Sequence, residues 1–149
     1  MRKLLIFLLL GSVLLGNASA EDKATIFVFR RHFATLAKFS LYLNSARVAK
    51  INSGTFVSIS VDPGTYRLSH DLNFHGATYA EKAIDVSVRP GELVCVEATM
   101  DLPTRSALAK PRFSAVPCTI ARDHLSELHP VDRKGIFDPR AQPVPPDFP

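Results

Sequence analysis

Apolar and polar residues alternate with period two along much of the chain between residues 25 and 99. Residues 55–61 show it most clearly: Val57, Ile59 and Val61 share one face, and Ser58 and Ser60 the other. Successive side chains of a β-strand leave opposite faces, so this period predicts a half-buried strand. Residues 39–43 set Phe39, Leu41 and Leu43 against Ser40 and Tyr42, and residues 84–88 interleave Asp85 and Ser87 with apolar positions. Residues 47–51 return after a turn at Asn44-Ser45, and residues 65–69 resume after Asp62-Pro63-Gly64. There, and again at Arg89-Pro90-Gly91, proline presets the first central position of a turn and glycine accepts the positive φ of the second. With residues 25–31 and 93–99 the count reaches seven short strands. Strands punctuated this often predict an all-β domain, an antiparallel sandwich or small barrel.

Two of these strands break the alternation. Residues 25–31 are apolar on both faces, Ile26 and Val28 against Phe27 and Phe29, and so is the stretch around Cys95. One face of a sandwich sheet normally meets water, so both strands require a cover. Ala121, Leu125 and Leu128 fall at i, i+4 and i+7, an apolar stripe on a short helix predicted over residues 120–128 and ended by Pro130. That helix is expected to lie on the outside of the first and last strands. The last twenty residues hold six prolines and no apolar period, so residues 130–149 read as a disordered, proline-rich tail. Within it, Pro143-Val144-Pro145-Pro146 has the composition of a polyproline II segment of the kind that docks on aromatic grooves.

The beginning of the chain changes the chemistry expected of the rest. Arg2 and Lys3 precede an apolar block over residues 4–15, and Ala18-Ser19-Ala20 closes it with small residues. This is the order of a secretory signal peptide, residues 1–20, with cleavage before Glu21. The block is shorter than the roughly 20 apolar residues that span a membrane, and no later stretch is apolar enough to insert stably. No cysteine lies near the cleavage site to accept a lipid, so a soluble periplasmic or secreted product is expected. The domain order is then residues 1–20 signal, 21–129 β-sandwich with its helix, and 130–149 tail. Cleavage removes two of the 18 basic residues, leaving 16 against 14 acidic ones, so the formal charge falls from +4 to +2. Such a balance argues against nucleic acid as a partner. Arg30-Arg31-His32, the densest basic spot, reads as a solvated strand end.

Both cysteines, Cys95 and Cys118, follow the signal. An even count in an oxidising compartment predicts one disulfide between them. A catalytic thiol, the competing reading, needs exposure and a low pKa, whereas Cys95 sits in the apolar run Leu93-Val94-Cys95-Val96.

Several segments match, in order, an uncharacterised bacterial family, the domain of unknown function 2846. They are Ala24-Thr25-Ile26-Phe27-Val28-Phe29-Arg30, Leu41-Tyr42-Leu43-Asn44, Gly54-Thr55-Phe56-Val57, Val61-Asp62-Pro63-Gly64-Thr65-Tyr66 and Pro90-Gly91-Glu92-Leu93-Val94. Over residues 24–100, about half the chain, the sequence resembles that family of small exported proteins, some of them lipoproteins. It departs at the hairpin, where the family's Asn-Gly is Asn44-Ser45, and in lacking a lipid-accepting cysteine. The resemblance implies a sandwich like the transthyretin-like or carboxypeptidase-regulatory domains, which mostly serve as binding or spacer modules. It transfers no functional residue.

Chemistry is sparse. There is no Gly-x-Ser-x-Gly elbow and no glycine-rich phosphate loop. His124 and His129, five apart, turn to different faces of a helix. His70, Asp71 and His75 have no metal-motif spacing and read as surface groups of a loop. That loop, residues 70–82, is long for a hairpin connection and carries Phe74, His75 and Tyr79, the candidate binding residues. Phe74 and Tyr79 acting as a cap on the core is the competing reading. No catalytic residue, metal or cofactor is expected. The sequence therefore implies a non-enzymatic binding or protein-interaction domain of the bacterial cell envelope, with an envelope protein or peptide as partner. A structural or accessory module without its own ligand stands second, and an uncharacterised envelope enzyme third.

Overall fold

The computed structural model describes residues 22–32, 38–71, 83–101 and 110–149. The predicted signal peptide and loop residues Phe74, His75 and Tyr79 lie outside the described residues. Among the described residues the protein is an all-β domain of two sheets with one short C-terminal helix. The strands are β1 (Ala24–Arg30), β2 (Phe39–Leu43), β3 (Ala46–Ile51), β4 (Thr55–Val61), β5 (Gly64–Asp71), β6 (Ile84–Val88), β7 (Leu93–Asp101) and β8 (Lys110–Val116), followed by the two-residue β9 (His129–Pro130) and β10 (Ala141–Gln142). All seven strands read from the alternation are present, and three more join them.

The smaller sheet has the order β3-β2-β5-β6, antiparallel throughout. The larger sheet has the order β10-β4-β1-β7-β8, with β9 also on β4. Here the antiparallel expectation needs correction: β1 and β7 run parallel, Thr25 opposite Leu93 and Phe29 opposite Glu97. The cause is topological. Between them the chain crosses to the smaller sheet and back twice, laying down β4 in between, so nothing forces the direction that a hairpin would impose.

The alternation predicts the layers. Ile26, Val28, Val57, Ile59, Leu41, Leu43, Leu68 and Val86 meet between the sheets in the main core. Phe27, Phe29, Phe56 and Cys95 point to the other side of the larger sheet and form a second core with Ala121 and Leu128. The predicted cover is therefore where the apolar outer faces of β1 and β7 require it. It is α1 (Cys118–His124), continued by a 3-10 turn over Leu125–Glu127 rather than by helix to residue 128. No side chain caps the start of α1. So short a helix is not stable on propensity alone. Packing and the Cys95–Cys118 disulfide, Cα–Cα 5.2 Å, hold it down.

The β2–β3 hairpin turns at Asn44 (φ 47°) and Ser45 (φ 69°), both left-handed. The Asn44 side-chain oxygen accepts a hydrogen bond from the Arg67 amide at 2.8 Å, and the Asn44 amide donates to the Arg67 carbonyl at 2.9 Å. Asparagine tolerates this conformation, whereas serine is strained in it. We expect Ser45→Gly to raise stability by about 0.5–1 kcal/mol in urea unfolding. A loss of stability would show that Ser45 earns its place through an interaction that outweighs the strain.

The tail is the second correction. Residues 130–149 are ordered along the open side of the two sheets. β9 pairs in parallel with Thr55 and Phe56, and β10 antiparallel with Ser58 and Ile59, both on the outer edge of β4. Between them the chain reaches the smaller sheet, where Ile136 bridges Ala49 and the Phe137 amide donates to the Val48 carbonyl at 3.0 Å. Val131 and Ala141 are buried, and Phe137 lies over the Arg47 guanidinium at 3.8 Å. Asp138 turns the chain back: its carboxylate accepts hydrogen bonds from the Arg140 amide at 2.9 Å and from the Arg140 side chain at 3.0 and 2.7 Å. That guanidinium holds the Asp138 carboxyl below its ordinary value. Proline composition predicted disorder because it removes backbone donors. The edge of β4 needs few of them from the tail, and side-chain anchors supply the rest.

Candidate functional site

His70, at the root of the long loop, is not a surface group. It is 3% exposed, on the inner face of β5 with Leu68. Its ring lies 6.0 Å from Phe39 and 5.6 Å from Phe113, centroid to centroid. Arg30 is likewise buried, 1% exposed, with its guanidinium 5.8 Å from the Phe39 ring centre. Burial lowers the Arg30 pKa from its ordinary value, since desolvation penalises the charged form. Both residues continue an inward alternation, Ile26-Val28-Arg30 and Leu68-His70, and that period was the signal available for them. Arg30, Phe39, His70 and Phe113 thus form a packed aromatic and cationic knot where β5 runs into loop 70–82. The expected solvated strand end at Arg30-Arg31-His32 is corrected at Arg30 and holds at the other two, which are exposed.

Arg31 and His32 open onto a cleft of about 460 Å³ where β1 leaves the side of β7, with Glu97, Thr99, His124 and Glu127 on its walls. The parity of β1 sends Arg31 outward, opposite to Arg30, and there it meets Glu97 on the same face of β7. Arg31 Nε donates to Glu97 Oε1 at 2.5 Å. Glu97 is 7% exposed, so the pair is anchored on its acidic side. His124 Nδ1 stands 3.3 Å from Glu127 Oε2. The His32 ring packs on the backbone of Gly54 so closely that a Cβ there would lie 2.4 Å from it. Gly54 also has φ +70°, so its lack of a side chain serves both the turn and the contact. His32 also meets His129 edge-on at 6.4 Å. His124 and His129 do not occupy two faces of one helix as the spacing predicted: His124 ends α1, and His129 lies in β9 on the edge of β4.

Within the cleft Arg31 pairs with Glu97, and the His124 ring stands beside Glu127. Among the described residues there is no group of three or more His, Cys, Asp or Glu able to hold a metal ion. Among them, too, no helix is long and apolar enough to cross a membrane. Cys95 and Cys118 are joined, so neither is a nucleophile. The sequence reading missed Arg31–Glu97 because the partners lie 66 residues apart and meet only through the parallel β1–β7 pairing.

What fold and site together define is a class, a disulfide-linked two-sheet β domain with a cleft beside the Arg31–Glu97 pair. No protein-family model matches the chain, and no curated protein matches it.

Proposed function

We propose that the chain is an exported, non-enzymatic binding or protein-interaction domain of the bacterial cell envelope. The observation that carries this reading is the Cys95–Cys118 disulfide. Such bridges persist in oxidising compartments and are rare in the cytosol. The signal-like order of residues 1–20 supports the same address. Binding is assigned to loop 70–82, with Phe74, His75 and Tyr79 as its anchors, because the buried knot at His70 gives that loop a rigid root. Kinship with the domain of unknown function 2846 family belongs to the same proposal and rests on the ordered motifs over residues 24–100.

The test is expression with a C-terminal tag in a Gram-negative host. The expected product is periplasmic, begins at Glu21 by intact mass, and shows no free thiol after denaturation without reductant. Full-length protein retained in the cytoplasm with two free thiols would overturn the assignment. Crosslinking and pull-down from the envelope then reads the loop: partners should be lost on Phe74→Ala with Tyr79→Ala. An unchanged partner list would remove loop 70–82 from the proposal.

A further inference from the structure

The outer face of the larger sheet carries a groove that the protein fills with its own tail. Its floor is aromatic, Phe27, Phe29 and Phe56, and α1 forms one wall through Ala121. The other side is the edge of β4. The tail enters along that edge, with the Ser60 amide donating to the Arg140 carbonyl at 2.9 Å. It then passes over the edge onto the face. The Ser58 hydroxyl donates to the Val144 carbonyl at 2.5 Å. The Phe148 ring stands edge-on to Phe27 with centroids 5.3 Å apart. Beyond it, Arg122 Nη1 on α1 donates to the Pro149 carbonyl at 2.8 Å.

The tail is held the way a docked peptide is held. Pro143, Pro146 and Phe148 are half-buried, while Val144, Pro145 and Asp147 between them face water. After the two residues of β10, the contacts are anchors at intervals rather than a continuous ladder. A strand laid on a sheet edge, with spaced side chains set in pockets, is a recurring mode of peptide recognition. Prolines lower the entropy lost on docking. We propose that this groove is a peptide-binding site. Its occupant is an extended, proline-rich segment of a partner polypeptide with an aromatic anchor, and it binds by displacing residues 143–149. The tail shows the chemistry accepted: a carbonyl for Ser58, an aromatic ring for Phe27, and a further carbonyl for Arg122. The inference rests neither on loop 70–82 nor on export.

The probe is a fluorescent peptide of residues 141–149. The purified full chain should bind it weakly, because the tail competes in cis. The full chain carrying Phe148→Ala, which loosens the tail but leaves the groove intact, should bind it saturably and at least tenfold more tightly. The same peptide with alanine in place of phenylalanine should lose at least tenfold. A folded Phe148→Ala chain that takes up no peptide, or takes up both peptides alike, overturns the proposal. A second measurement leaves Phe148 in place. Val144→Cys, at a position 58% exposed, carries a fluorophore on the tail, and millimolar unlabelled peptide should lower its anisotropy. No fall at any peptide concentration overturns the proposal equally.

Discussion

Cys95→Ala with Cys118→Ala is expected to lower the unfolding free energy by about 3 kcal/mol. The bridge joins residues 23 apart, and the chain-entropy model gives a loop of this size a stabilisation of that order. The effect extends beyond loop closure. Cys118 is the first residue of α1, a helix of seven residues without a side-chain cap. Once the bridge is gone, α1 is held mainly by Ala121 and its half-buried neighbours. Loss of α1 would bare Phe27 and Phe29. The variant should therefore also bind a hydrophobic dye such as ANS below its unfolding midpoint, and its Tm should fall by about 10 °C. Urea titration of variant and parent checks the figure. A difference under about 1 kcal/mol would mean that packing alone seats the helix.

Phe27→Ala should cost about 3–5 kcal/mol, the range for deleting a buried aromatic ring. Phe27 is fully buried at the centre of the second core, with ring centroids 5.8 Å from Phe29, 5.4 Å from Phe56 and 5.3 Å from Phe148. Truncation leaves a cavity between the sheet, the disulfide-linked helix and the Phe148 ring. The control is Phe137→Ala. That ring is 46% exposed and lies over Arg47, an arrangement worth about 1 kcal/mol or less. Equal losses for the two would mean that the second core is not a true interior.

The parts of the fold that were legible in the sequence are those that a local pattern decides. Ile26 and Val28 against Phe27 and Phe29 announced a strand buried on both faces, and the stripe Ala121, Leu125 and Leu128 announced what covers it. The even count of cysteines announced the bridge, and the apolar run around Cys95 its burial. What was missed is decided by pairing at a distance. β8 buries only Phe113 among its described side chains and includes Pro111, so it carries no alternation and suits only a sheet edge. β9 and β10 are two residues each, and backbone bonds to β4 place them rather than any side-chain period. The candidate site divides the same way. Arg30 and His70 obeyed an inward alternation, but their charge made them read as surface groups. Arg31 meets Glu97 only because two strands distant in sequence lie parallel.

That parallel pair also sets a timetable. β1 stands between β4 and β7 in the larger sheet, so the first strand to leave the ribosome acquires its second neighbour only when Leu93 reaches Thr25. The outer edge of β4 waits longer still, for Ala141 and Gln142. Folding built on such remote partners is slow, in the millisecond-to-second class of β proteins. Until β7 is made β1 has an open edge, and until the residues from Cys118 onward follow, Phe27 and Phe29 have no cover. A holding chaperone would find its natural target in that interval, at the segment Thr25-Ile26-Phe27-Val28-Phe29.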